Sequence, residues 1–188
     1  NTLGLENMFV IDSAVKTATE NKNGGNNMEG FTTKKQQFAT VWKMHTAGDA
    51  QWYPAQVPGT VYTDLLRNGQ MEDPFWKDNE YRALDLMEKD YEYVTMFEGT
   101  EAQEGERQWL RFEGLDTICD IYLNEEKIGN TYNMHRTWEF DVTGKVKAGE
   151  NILHVYFHSP LEYIKEAYEK QPDCVLSIHQ NSYPEEAI

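Results

Sequence analysis

Cysteine and basic side chains are scarce in this sequence, and their scarcity narrows what it does. Only Cys119 and Cys174 occur, far apart and at no metal-ligand spacing such as C-x-x-C, so neither a zinc ribbon nor a dense disulfide framework is encoded. Cys119 stands in an apolar alternating run, where a free thiol behaves as a small buried hydrophobe; a disulfide to Cys174 is left open. Lys and Arg number 17 against 32 Asp and Glu, a formal net charge of -15, and so acidic a chain repels phosphate backbones and anionic lipid at long range. Nucleic acid is therefore not an expected partner. No run approaches the roughly 18 apolar residues of a membrane span, and the opening NTLGLENMFVIDSAVK has no basic stretch leading into an apolar one. No membrane partner is expected, and the compartment stays open between cytoplasm and periplasm or secretion.

Motifs for common chemistries are missing too. There is no G-x-S-x-G, no P-loop, and no cysteine with a histidine and orienting amide nearby. His45, His135 and His179 lack ligand-spaced neighbours, and His154 and His158, four apart in an apparent strand, would stand about 13 Å apart by strand rise. No metal and no cofactor is expected. Most acids fall on the wet positions of strands or in turns, as at Glu125 and Glu126, so no catalytic carboxylate pair is assigned.

What is present is enough chain for one domain. A length of 188 residues buries roughly 70% of the surface an unfolded chain of this size exposes. Residues 1–30, rich in Asn, Gly, Lys and Thr, read as a loosely held leader. Residues 31–170 read as the domain, and 171–188 as a polar tail leading toward a further, catalytic domain. Residues 38–58 carry two aromatic-rich runs about Gly48-Asp49, which suits two strands and a turn. A helix follows, capped by Thr60, with Val61, Leu65 and Leu66 on one face and Gly69 at its left-handed end.

Residues 90–99 alternate, with Tyr91, Tyr93, Thr95 and Phe97 on one side and Glu92, Val94, Met96 and Glu98 on the other, as a half-buried strand does. Further strands are predicted at 108–113, 117–123, 137–142 and 152–158, separated by turn-rich pieces such as NEEKIGN. A late helix over 161–170 has Pro160 at its start and Leu161, Ile164, Ala167 and Tyr168 on one stripe. Many short strands without a βαβ rhythm predict an all-β fold: an antiparallel jelly-roll, galactose-binding-like β-sandwich with one or two short helices. Five tryptophans and eleven tyrosines supply aromatic faces, which are strand core first and sugar platforms second.

Two blocks carry a more specific signal. VPGTVYTDLLRNGQMEDPFWKDNEY, over residues 57–81, holds a proline-glycine turn, a short helix and a D-P-F-x-x-x-N-E segment that keeps Pro58, Gly59, Asp73, Pro74, Phe75, Asn79 and Glu80. FEGLDTICDIYLNEEKIGNTYNMHRTWEFDVTGKVKAGENILHVYFHSP, over 112–160, keeps the run Gly114-Leu115-Asp116-Thr117, then Tyr122, Leu123 and Asn124, then Asn133, Met134 and Arg136, then Phe140 to Thr143. Together they resemble the sugar-binding jelly-roll domain of glycoside hydrolase family 2, in its β-mannosidase branch, over roughly 52–168. Tyr62 departs from the pattern, where relatives carry histidine.

The resemblance implies a non-catalytic domain of an exo-acting, retaining hydrolase that releases mannose from β-mannosides. The glutamates of such enzymes sit on a downstream (β/α)₈ barrel, and a W-D-W-G-P segment that follows this domain in relatives is not in the sequence. After Cys174 the sequence leaves the family pattern. The expected partners are that barrel and, through the parent enzyme, a β-mannoside or related oligosaccharide. Asp78, Asn79, Glu80, Asn133 and Arg136 are the candidates for positions walling the sugar pocket; turn capping and domain contact are the other roles open to them. A stand-alone, lectin-like module is the alternative reading.

Overall fold

The computed structural model describes residues 14–19, 32–34 and 41–170. Two antiparallel sheets face one another. β1 (Ala14–Thr19) and β2 (Thr32–Lys34) join β6 (Glu106–Phe112) and β9 (Trp138–Asp141) in a sheet of order β2-β1-β6-β9. The larger sheet takes β3 (Trp42–Thr46), β4 (Tyr53–Ala55), β5 (Tyr91–Gly99), β7 (Ile118–Leu123), β8 (Glu126–Tyr132) and β10 (Gly149–Phe157) in the order β4-β3-β5-β10-β7-β8. Neighbours in this order are distant in sequence, as β5 and β10 are, and this gives the two-layer jelly-roll sandwich that the alternating strands predict.

The alternation in β5 sets the layers. Tyr91, Tyr93, Thr95 and Phe97 are all buried, while Met96 and Glu98 face water. From the same sheet Cys119, Ile121 and Leu123 of β7 and Leu153, Val155 and Phe157 of β10 turn inward, and Leu110 and Phe112 of β6 meet them from the other sheet. The long pairing of β5 with β10, from Gly149↔Gly99 to Phe157↔Tyr91, fixes which side chains reach this core, since a slip of one residue would turn every one of them outward. Cys119 is free and fully buried, and burial pushes its thiol far above its ordinary value.

Three helices lie outside the sheets. α1 (Val61–Arg67) begins as expected at Thr60, whose hydroxyl accepts from Thr63 N–H at 3.1 Å while Thr63 Oγ1 accepts from Thr60 N–H at 3.1 Å, a capping box. It ends at Gly69, φ 67°, with Gly69 N–H donating to Leu66 O and Gln70 N–H to Leu65 O, the paired bonds of a Schellman end. α3 (Pro160–Glu169) also starts where proline allows, with Ser159 as its cap. None of its residues is buried, so the expected stripe of Ile164 and Tyr168 is open to solvent.

Four elements depart from the sequence expectation, among them β2, which precedes the first predicted strand. α2 (Asn79–Met87) makes a third helix; only Ala83 is buried along it and Asp78 makes no capping bond, so it carries neither an apolar stripe nor a start signal. β8 occupies the NEEKIGN piece expected as a turn, because pairing with β7 holds an edge strand on which Thr131 alone is buried. The 1–30 leader contains β1, whose six residues pair with β6 from Ala14↔Arg111 to Thr19↔Glu106. The rest of that leader and the 171–188 tail lie outside the described residues. No helix of the described residues is long and apolar enough to cross a membrane.

Candidate functional site

The two sequence blocks converge at one end of the sandwich, around a small concavity. α1 supplies Val61 and Tyr62, the end of α2 supplies Leu86 and Met87 with Lys89 just beyond, and Tyr91 opens β5. Asp116 enters from the loop between β6 and β7, and Phe157, His158 and Pro160 from the junction of β10 with α3. Asp90 ties these walls together: its Oδ1 accepts from Ser159 N–H at 2.6 Å and its Oδ2 from the Tyr156 hydroxyl at 2.7 Å, while Ser159 Oγ donates to Met87 O at 2.6 Å. Two tyrosines brace the other side. Tyr62 donates to Ala83 O at 3.2 Å, joining α1 to α2, and Tyr91 donates to Leu86 O at 2.9 Å. Burial raises the Tyr62 phenol to about 12 and the Tyr91 phenol further, the latter with the Tyr62 and Asp49 charges adding to it.

Asp116 is the only acid among the lining residues. Its Oδ2 is buried without a hydrogen-bond partner. Loss of solvent pushes the carboxyl above its ordinary 3.8, opposed in part by His135. Asp64 on α1 is the contrast: 1% exposed, it accepts from Gln56 N–H at 3.0 Å, from Arg67 at 3.2 Å and from the buried Tyr93 hydroxyl at 3.0 Å. Burial still lifts its carboxyl, because desolvation outweighs those bonds. Asp64 is a structural hub, fully engaged; Asp116 is not.

A second polar group crosses the outer face of the larger sheet. Glu92 on β5 lies between two imidazoles, 3.4 Å from His45 Nε2 and 2.8 Å from His154 Nε2. His45 Nδ1 donates to Asp49 O at 2.7 Å and its ring stacks on Trp52 at 3.8 Å. No group of three His, Cys, Asp or Glu among the described residues is arranged to hold a metal ion.

Comparison with known proteins identifies the architecture. The family model described as "Glycosyl hydrolase 2 galactose-binding domain-like" matches residues 42–187. The chain belongs to this family. Its alternating strands and two motif blocks are thus those of a galactose-binding-like domain of glycosyl hydrolase family 2. The match runs past Cys174, so the tail that the sequence analysis placed outside the family pattern falls within it.

The galactose-binding-like domain is 34% identical to β-mannosidase of Bos taurus over 156 residues, covering 77% of this chain and 17% of that one. It is 33% identical to β-mannosidase B of Aspergillus terreus over 143 residues, 73% of this chain and 17% of that one. Among solved structures it superposes on β-D-mannosidase of Dictyoglomus thermophilum with a TM-score of 0.67 at 34% identity, covering 76% of this chain and 17% of that one. The chain therefore spans about a sixth of the length of these relatives.

Within the family domain, the five positions taken from the sequence lie outside the concavity's lining. Asp78 and Glu80 are exposed at the start of α2, and Asn79 is half-buried, its Nδ2 donating to Asp73 O at 2.9 Å. Asn133 is exposed; its Oδ1 accepts from His135 N–H at 2.9 Å and its carbonyl from Trp138 Nε1 at 3.0 Å. Arg136 lies with its guanidinium 4.4 Å from the centre of the Trp138 ring. The start of α2 and the β8–β9 loop are held by turn-capping bonds and by the guanidinium of Arg136 on the Trp138 ring. Asp116 belongs to the second block, and its signal in the sequence is an acid placed directly after Leu115, between core strands.

Proposed function

We propose that this chain is the non-catalytic sandwich domain of a β-mannosidase-type glycosyl hydrolase, supporting a catalytic barrel and helping to wall its sugar pocket. The parent reaction, on this reading, is exo-acting, retaining hydrolysis of terminal β-D-mannosides. The observation that carries it is the 34% identity to two β-mannosidases over three quarters of this chain and only 17% of theirs.

The chemistry of the concavity agrees with a supporting role. A retaining glycosidase uses two carboxyl groups about 5–5.5 Å apart across the scissile bond. Here one carboxyl, Asp116, stands without a second acid among the lining residues. Asp64, which is buried where Asp116 is only partly so, has its oxygens committed to α1, to the segment before it and to β5.

The wall role falls on Asp78, Asn79 and Glu80 at the start of α2 and on Asn133 and Arg136 in the β8–β9 loop, both held in place by local bonds. Asn79→Ala in a longer hydrolase carrying this domain tests it. Lower turnover on an aryl β-mannoside with an unchanged melting temperature is expected; wild-type kinetics would remove Asn79 from the pocket wall.

A further inference from the structure

The concavity beside Asp116 is small, and its size decides what it admits. At about 60 Å³ it has room for roughly four to six water-sized groups, at 10–15 Å³ for each. The tip of one side chain fits that space. The wall combines the rings of Tyr62, Tyr91 and Phe157 with the carboxylate of Asp116, whose Oδ2 is shut off from solvent without a hydrogen-bond partner and is offered to an incoming donor when the carboxylate turns.

Three kinds of side-chain tip can be weighed against that wall. An aliphatic tip would cover the rings and leave Asp116 unpaired at the cost of a buried charge. An ammonium is a strongly hydrated point charge, ill suited to a mostly apolar wall. A guanidinium is flat, more weakly hydrated, stacks on aromatic faces and donates to a carboxylate. The excess of 32 acidic over 17 basic residues in the chain favours a basic partner surface as well.

We propose that the concavity is a socket for one arginine side chain, presented by the portion of the larger hydrolase that packs on this domain, with Asp116 as its acceptor. This rests on the reading of the chain as one domain of such an enzyme. Lys89 at the wall is the one fixed cation there; it competes with the incoming guanidinium, and its loss strengthens binding.

The test uses this chain and two small probes of the same shape, n-butylguanidinium and neutral n-butylurea, at millimolar concentration, followed by amide chemical shifts. The guanidinium is expected to give saturable shifts at Tyr62, Lys89, Tyr91 and Asp116, with the urea at least tenfold weaker. Asp116→Asn should abolish that preference and Lys89→Ala should increase it. Because Lys89 is exposed, its variant keeps the test readable if the Asp116 variant fails to fold. Equal responses to both probes, no saturable shift, or an undiminished preference in Asp116→Asn would overturn the socket. Failure of the domain reading would show separately, as β-mannoside hydrolysis by the chain itself.

Discussion

Asp64 and Asp116 are both acids withdrawn from water, and replacing them is expected to shift stability in opposite directions because one is hydrogen-bonded and the other is not. Asp64 accepts from Gln56, Arg67 and Tyr93, so Asp64→Ala removes the bonds that the Gln56 N–H and the Tyr93 hydroxyl make to it. Losing these bonds from a buried site costs about 3 kcal/mol together, to be read from urea unfolding; a loss below about 1 kcal/mol would show that the network relaxes around the gap. Asp116 has a buried oxygen with no partner and a carboxyl raised above its ordinary 3.8 by desolvation. A raised acid pKa means the folded state holds the proton more tightly than the unfolded one. The ionised carboxyl therefore weakens the fold above the folded pKa, and that penalty fades as pH falls toward the unfolded value. Asp116→Asn is expected to stabilise the chain by about 1 kcal/mol at pH 7, with the gain gone below pH 3.8; a gain independent of pH would contradict it.

Elements were legible in the sequence where local pattern and packing agree. β5 shows its two faces in its own alternation, and α1 carries both its start signal at Thr60 and its stop at Gly69. Thr60→Ala should lower stability by about 1 kcal/mol through the lost cap, seen as a reduced unfolding midpoint in urea. β8 and α2 were hidden because each buries one residue, so nothing in their composition distinguishes them from turns. β8 is specified by what lies beside it. A Cβ on Gly129 would come within 2.2 Å of Phe140 Cε1, so glycine there lets the edge strand approach β9, and Phe140 in turn packs edge-on to Phe112 at 5.9 Å. Gly129→Ala is expected to cost about 2 kcal/mol by overpacking; a neutral result in the same unfolding assay would mean the Phe140 ring moves freely. The candidate site was hidden for a related reason, since its walls come from α1, α2, β5, the β6–β7 loop and the β10–α3 junction, which no local window brings together.

For the molecule as a whole, two sheets bury a shared aliphatic and aromatic core, and the chain carries a net charge of -15. The family was legible from the motif blocks, which fold into the end of the sandwich around α1, α2 and the β6–β7 loop. α3 leaves Tyr163, Ile164 and Tyr168 exposed and α2 leaves Tyr81 and Leu84 exposed, as suits a domain that sits beside others in a longer chain. On the proposed reading such a domain folds and presents surfaces, while the carboxylate pair for glycosidic cleavage belongs to the rest of the hydrolase. Incubating the purified chain with an aryl β-mannoside and following aglycone release tests this division of labour most directly. No release above the enzyme-free rate is expected. Turnover that copurifies with the chain and disappears on replacing one of its own acids, Asp116 first among them, would contradict it.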